Sequence, residues 1–335
     1  MVKRAKKKFS DITLSTSARD KRVLSIAKQI IEILSSQGVS ISHDNNLSAL
    51  NNYKDSKLVQ PKEILTNTNL LIAIGGDGTI LNCSRLYGSK GIPILGINLG
   101  KLGFLSDIAP NDVTTSLIEV INGKYLEDHR FFLEASLTGE DKDSFIALNE
   151  VVIHSGSIAQ LIEYEVFIND SFVYRQKADG IIINTPTGST AYSLSGGGPI
   201  VHPEVEAITL LPMFPQSLSS SSLIVKASSN IRIVLTQTGL TCQVSFDSQD
   251  KINFKGKKEI TISKSYTMNK PLIIYHVSTN NIKSTTLNSQ LNFILEDSLG
   301  GGGSETLFND AQGKSYGQAL LMMEVEIPKE IYEKK

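Results

Sequence analysis

Five apolar residues in a row, Leu70–Ile74, run directly into Gly75-Gly76-Asp77-Gly78-Thr79, and a helix-like stretch follows. A short continuous apolar run fits a strand buried on both faces, the setting of a parallel sheet. Parallel neighbours need long crossovers, usually helices. The flanking chain supplies both kinds of element. Phe9–Ser15 reads as a first strand, with Ile12 and Leu14 on one face. Val23, Ile26, Ala27, Ile30, Ile31 and Leu34 then recur at helical spacing, and Gly38 ends that helix. Val39–Ile41 is a second strand, 44–57 a polar loop, and Ile92–Ile97 another buried strand. Asn111 or Asp112 can cap a helix through Asn122. The alternation predicts an α/β fold, with an N-terminal open α/β (Rossmann-like) domain over 10–125.

Beyond residue 125 the texture changes. Short alternating or apolar runs recur at 130–137, 144–153, 162–168, 172–176, 180–184, 223–225, 231–236, 242–246 and 259–263. Asn169-Asp170 reads as a hairpin turn between two of them. A second, β-rich domain over 126–265 is expected. At the ends, residues 1–9 read as a basic disordered arm carrying Lys3, Arg4, Lys6, Lys7 and Lys8, and 299–335 as a Gly-rich linker and tail of unknown role.

Composition narrows the function classes. Lys and Arg number 33 against 34 Asp and Glu, a net charge of -1, which argues against a bulk electrostatic grip on nucleic acid or membrane. Two cysteines, Cys83 and Cys242, cannot build a disulfide framework, and no apolar run approaches a membrane span. The five histidines show no metal-ligand spacing and are expected to be structural or on the surface. A cytoplasmic enzyme or ligand-binding protein is the expectation.

Four segments carry chemistry. In the first, Gly75, Gly76 and Gly78 let the backbone approach a phosphate, and Thr79 opens a helix whose N-terminus favours anions. Asp77 would repel a bare phosphate. It could hold Mg²⁺ near a nucleotide, serve as general base on a substrate hydroxyl, or simply cap the helix. The second segment, GINLGKLGFL at 96–105, leaves the carboxyl end of a predicted parallel strand, where open α/β sheets bind ligands. Asn98, Gly100, Gly103 and Phe104 are its candidates. In the third, Asp179-Gly180 precedes a strand and then Thr185-Pro186-Thr187-Gly188-Ser189-Thr190-Ala191-Tyr192, five hydroxyls in eight residues. Those hydroxyls suit ribose and phosphate oxygens, and Tyr192 offers a ring to a base. Ser195 follows in a glycine-rich stretch. The fourth is Asn149-Glu150, an amide and a carboxylate able to hold ribose hydroxyls or to form an ordinary surface pair. No dedicated cationic clamp for donor phosphates stands out; Lys101 and Arg130 are the candidates, and both are expected to be solvated.

Together these segments resemble the NAD kinases, which phosphorylate the 2′-hydroxyl of the adenosine ribose of NAD. The resemblance spans roughly residues 10–295 and rests on GGDGT at 75–79, LGINLGKLGFL at 95–105, NE at 149–150, DGIIINTPTGSTAYSLSGGGPIVHP at 179–203 and VSFDSQ at 244–249. It implies an α/β domain, a β-rich NAD-binding domain and a C-terminal segment, 266–298, returning to the first. It implies Asp77 as the catalytic residue, with NAD as substrate, ATP or polyphosphate as donor, and Mg²⁺ or another divalent metal. Asn149 and Glu150 would contact ribose hydroxyls or the diphosphate, and Asp179 the base or amide. Thr190, Ala191, Tyr192 and Ser195 would line the dinucleotide pocket, with Thr187 and Gln249 beside them. Lys177, near the nicotinamide side, implies a preference for NAD over NADH. A homodimer or homotetramer, with no nucleic-acid or membrane partner, is expected.

The chain departs from the family pattern in places. Gln216 stands where the family commonly has histidine, and Ser221-Ser222 where it has Arg-Pro. The family's Asp-Gly-Gln becomes Asp247-Ser248-Gln249, and 287–293 lacks two basic residues. These losses motivate a second reading, a catalytically silent NAD sensor. A lipid or sphingoid-base kinase sharing the GGDGT loop is a third, opposed by the TPTGSTAY and Asn149-Glu150 segments.

Overall fold

The computed structural model describes residues 9–51, 53–100, 103–106, 108–138, 144–156, 160–217, 220–237, 241–255, 258–265 and 272–277. The expectations for residues 1–8, Lys101, 287–293 and 299–335 lie outside the described residues.

The N-terminal half alternates strands and helices. In chain order come β1 (Asp11–Ser15), α1 (Arg22–Ser36), β2 (Ser40–His43), β3 (Lys57–Leu58), α2 (Pro61–Asn67), β4 (Leu70–Gly75), α3 (Asp77–Leu86), β5 (Ile94–Asn98), α4 (Val113–Ile121) and β6 (Tyr125–Arg130). The second half supplies β7 (Leu133–Leu137), β8 (Phe145–Ala147), β9 (Glu150–Ser155), β10 (Ile162–Ile168), β11 (Ser171–Ala178) and β12 (Gly180–Asn184). After a short helix, α5 (Tyr192–Ser195), follow β13 (Ala207–Met213), β14 (Leu223–Lys226), β15 (Ile231–Leu235), β16 (Thr241–Phe246), β17 (Asp250–Lys255), β18 (Glu259–Lys264) and β19 (Leu272–Val277).

The first sheet has the order β3-β2-β1-β4-β5-β19-β6. Its strands from β3 through β19 run parallel, and β6 closes the edge antiparallel to β19. Strand order reverses between β1 and β4, so the crevice of this α/β sheet opens at their carboxyl ends, beside Gly75. All six residues of β4 are buried, as the apolar run predicts. One apolar layer packs α1 and α4 against one face, and a second packs α3 against the other. The other two sheets, β11-β10-β15-β18-β7-β8 and β14-β13-β12-β9-β16-β17, face each other across one core.

Several local readings need correction. Phe9 belongs to the core and not to the basic arm: it is fully buried against the rings of Tyr125 and Tyr275. β6 belongs to the first sheet, although the expected division at 125 assigns most of it to the second domain. The polar loop at 44–57 holds a 3-10 turn over Asn45–Leu50, which buries Leu47 and Leu50. α2 is too short for periodicity to reveal. Its signals are Pro61 at the first turn and the Gln60–Glu63 capping box. β13 lies inside its sheet despite Pro212, a residue that argues against a central strand. Pro212 is tolerated one residue from the strand's end.

Candidate active site

Asp77 is the first residue of α3, and its carboxylate ties two glycine loops together. Oδ2 accepts the Phe104 N–H at 2.8 Å and Oδ1 the Leu105 N–H at 3.2 Å. Gly103 has to be glycine, because a Cβ there would lie 2.1 Å from Asp77 Oδ1. Burial outweighs those two bonds and the Ser106 side chain, and raises the Asp77 pKa above the ordinary 3.8, making it a stronger base. A Cβ on Gly75 would strike Thr79 Oγ1 at 2.2 Å, whereas one on Gly76 or Gly78 would meet nothing within 4 Å. The loop is packed below and open above, the shape that a phosphate needs to reach the backbone. Asn98, buried at the end of β5, accepts the Gly100 N–H at 2.9 Å and so closes the start of the second loop.

The chain after β1 completes this edge. Ser17 Oγ donates to Thr79 Oγ1 at 3.0 Å, and Thr16 Oγ1 donates to the Ile74 carbonyl at 2.7 Å. Asp44, which the sequence reading passes over as loop, organises the bend. Its carboxylate accepts Ser15 Oγ at 2.6 Å, Thr16 N at 3.3 Å and Asn46 N at 3.0 Å. An acidic residue closing the second strand of an α/β unit is a usable signal.

The Asn149-Glu150 turn hangs from Asp247. The Asp247 carboxylate accepts the backbone N–H groups of Leu148 at 2.8 Å, Asn149 at 2.8 Å and Glu150 at 3.0 Å. Glu150 is only 3% exposed, and among the described residues nothing bonds its Oε2. Burial, with the nearby Asp247 charge, pushes its carboxyl up to about 8, so at neutral pH it carries a proton it can donate. Gly188 presses on this turn: a Cβ there would lie 2.1 Å from the Asn149 carbonyl oxygen.

Asp247 and Ser248 occupy left-handed backbone, with φ of 51° and 57°. Gln249 N closes a β-turn on Phe246 O at 3.0 Å, with Asp247 and Ser248 as its two central residues, and positive φ at those positions favours glycine. Ser248→Gly should therefore stabilise the protein by about 0.5–1 kcal/mol, read as a higher melting temperature; a lower one would contradict the strain.

The hydroxyls of the third segment are largely spent on its own fold. Thr185 Oγ1 donates to Leu148 O, Ser189 Oγ to Pro186 O, and Thr190 Oγ1 to Thr187 O. Thr187 Oγ1 accepts Nη1 of Arg130 at 3.1 Å. Arg130 is thus not solvated: it is 6% exposed and paired with Asp128, which also receives His276 Nε2 at 3.3 Å. That company holds the Asp128 carboxyl well below its usual range against the opposing pull of burial. In the stretch that follows, Tyr192 and Ser195 are exposed.

Tyr192 and Asp179 line a cavity of about 520 Å³ together with His154, Phe214, Ser245 and Ser248. His154, expected to be structural or superficial, thus faces the cavity, with Nδ1 on the Ser155 carbonyl at 2.7 Å. Lys177 is elsewhere: its Nζ lies 3.8 Å from Glu163 Oε1 on β10, and it is not among the cavity-lining residues. Gln216, exposed, donates its backbone N–H to Lys177 O at 2.9 Å, so the altered segment is still tied to β11 there.

Gln249 joins the two halves of the site. Its Nε2 reaches Gly78 O at 3.4 Å, and its Oε1 accepts Nη1 of Arg85 at 2.8 Å. Arg85 carries no motif signal and goes unremarked in the sequence. No group of three or more His, Cys, Asp or Glu able to hold a metal occurs among the described residues, and no helix there is long and apolar enough to cross a membrane.

Comparison with known proteins agrees across sequence and structure. Residues 7–125 match the ATP-NAD kinase N-terminal domain, and residues 148–274 the ATP-NAD kinase C-terminal domain. The chain is 40% identical to the NAD kinase of Teredinibacter turnerae over 241 residues, covering 71% of this chain and 82% of that protein. It is 40% identical to the NAD kinase of Photorhabdus laumondii over 261 residues, covering 77% and 89%. Among solved structures, yeast NADH kinase complexed with NADH superposes with a TM-score of 0.77 at 28% identity, covering 86% of this chain and 89% of that one. An Archaeoglobus fulgidus NAD kinase in complex with ATP gives 0.65 at 26%, covering 84% and 98%. With both domains matched in order along one chain, this protein belongs to the ATP-NAD kinase family.

Proposed function

We propose that this chain is an NAD kinase, transferring the terminal phosphoryl group of ATP to the 2′-hydroxyl of the adenosine ribose of NAD. The observation that carries the reading is Asp77: a carboxylate of raised pKa, fixed to the second glycine loop and flanked in sequence by the uncovered Gly76 and Gly78. A ribose hydroxyl is a poor nucleophile at neutral pH. Phosphoryl transfer needs positioning, neutralised phosphate charge and a proton acceptor. Asp77 takes the hydroxyl proton, the loop amides hold phosphate oxygens, and Asn149 with protonated Glu150 fixes the ribose. Asp179 and Tyr192 hold the rest of the dinucleotide in the cavity.

A divalent ion fits here without a protein cage, since Mg²⁺ typically binds one or two carboxylates plus substrate phosphates. Asp77 is a carboxylate at the mouth of the two glycine loops, anchored by the Phe104 and Leu105 N–H groups, and is the residue that would hold such an ion. When bound, the ion neutralises donor-phosphate charge. Polyphosphate as an alternative donor, a preference for NAD over NADH, a homodimer or homotetramer, and a cytoplasmic location extend this reading. They rest on the family resemblance and on composition.

The test is NADP formation from NAD, ATP and Mg²⁺, with NADH and polyphosphate as parallel arms and light scattering for the assembly. NADP produced in the NAD and ATP arm is expected. Saturable NAD binding without product would replace the enzyme by a silent sensor.

A further inference from the structure

The contacts of Arg85 place it between the two halves of the site just described. It lies in the last turn of α3, the helix that Asp77 begins, and its side chain is 11% exposed. Nη1 donates to Gln249 Oε1 at 2.8 Å, Nη2 is paired with Asp250 Oδ2, and Nε lies 3.8 Å from Asp247 Oδ2. All three acceptors belong to the hairpin joining β16 and β17. That hairpin is fastened to α3 a second time, where Gln249 Nε2 reaches Gly78 O at 3.4 Å. From it, Asp247 holds the backbone of Leu148, Asn149 and Glu150.

A chain of short contacts thus runs from the Asp77 helix through Arg85 and the hairpin to the Asn149-Glu150 turn. We propose that Arg85 is a positioning residue: its guanidinium sets the distance between Asp77 and the turn that holds the acceptor ribose. This rests on the NAD kinase reading. A planar fork with five fixed donors can hold several hairpin acceptors at once, which a lysine ammonium cannot do with the same geometry. The guanidinium also supplies the positive charge facing Asp247, a carboxylate that is otherwise buried among backbone amides. Because rate depends steeply on alignment, a misplacement of about 1 Å can cost about 10²-fold. The donor side, formed by the Gly76–Gly78 backbone at the start of α3, meets this path only at the 3.4 Å contact of Gln249 Nε2 with Gly78 O.

The experiment compares wild type, Arg85→Ala, Asp250→Ala and the double variant in the full chain, each well below its melting temperature. Arg85→Ala is expected to lower kcat about 10²-fold, leaving the KM for ATP within about twofold of wild type. Millimolar guanidinium chloride should restore part of the rate, and sodium chloride at equal ionic strength should not. Asp250→Ala should cost about threefold alone and nothing further beside Arg85→Ala, the signature of a shared path. Additive losses, no guanidinium rescue, or a rate loss that merely matches the loss of folded protein would overturn the proposal. If wild type forms no NADP, the functional reading fails separately. Arg85 is then judged by calorimetric NAD affinity: about tenfold weaker binding in Arg85→Ala supports the role, and unchanged affinity refutes it.

Discussion

Asp77→Asn should reduce kcat by about 10²-fold or more, since a positioned general base contributes about 10²–10⁴-fold. The substitution keeps the shape of the side chain and removes both its charge and its basicity. It also sets an amide N–H₂ against one of the two backbone donors, Phe104 N or Leu105 N, which the carboxylate now accepts. One cross-loop bond is therefore lost along with the base. Melting temperature separates the two effects, because loss of one such bond costs about 0.5–1.5 kcal/mol and leaves the chain folded. The pH profile gives a sharper signature. Burial raises the Asp77 pKa above 3.8, so the basic form is lost as pH falls through that higher value. The acid limb of the wild-type kcat profile should lie above 3.8, the ordinary aspartate value, and should vanish in Asp77→Asn. A variant within tenfold of wild type across the profile would remove Asp77 from proton transfer.

How much of this was legible in the sequence depended on whether a signal was local. Leu70–Ile74 announced β4 and its two-sided burial because a short, continuous apolar run ending in glycines suits a strand buried on both faces. The glycine loops announced themselves for the same reason: Gly75 and Gly103 are required by contacts that any Cβ would violate. The misreadings arose where long-range partners decide. The hydroxyls of Thr185, Thr187 and Ser189 looked free to bind ribose, yet each found an internal partner, because a buried turn must satisfy its own polar groups. Arg130 looked solvated by composition, yet Asp128 two residues away and Thr187 across the fold make its burial tolerable. Asp247 and Arg85 carried no local sign of their work, since their partners lie about a hundred residues or more away in the chain.

Gly188→Ala tests the tightest of those long-range approaches. The added Cβ would lie 2.1 Å from the Asn149 carbonyl oxygen, 2.5 Å from its carbon and 2.8 Å from Cα. All three atoms are backbone, so no side chain can swing aside. The Asn149 carbonyl also accepts Thr185 N at 2.9 Å, and the Asn149 N–H is held by Asp247. The turn can therefore move only by breaking bonds to two other segments. Overpacking of this kind costs about 1–3 kcal/mol. The displaced atoms belong to the residues proposed to hold the ribose, so kcat/KM for NAD should fall about 10²-fold, the cost of misplacing an acceptor by about 1 Å. Gly76→Ala is the control: its Cβ meets nothing within 4 Å, and its φ of -93° suits any residue, so its melting temperature should match wild type. A Gly188→Ala protein that melts with wild type and turns over NAD at the same rate would show that Asn149 and Glu150 tolerate displacement, and would end the claim that this turn aligns the substrate.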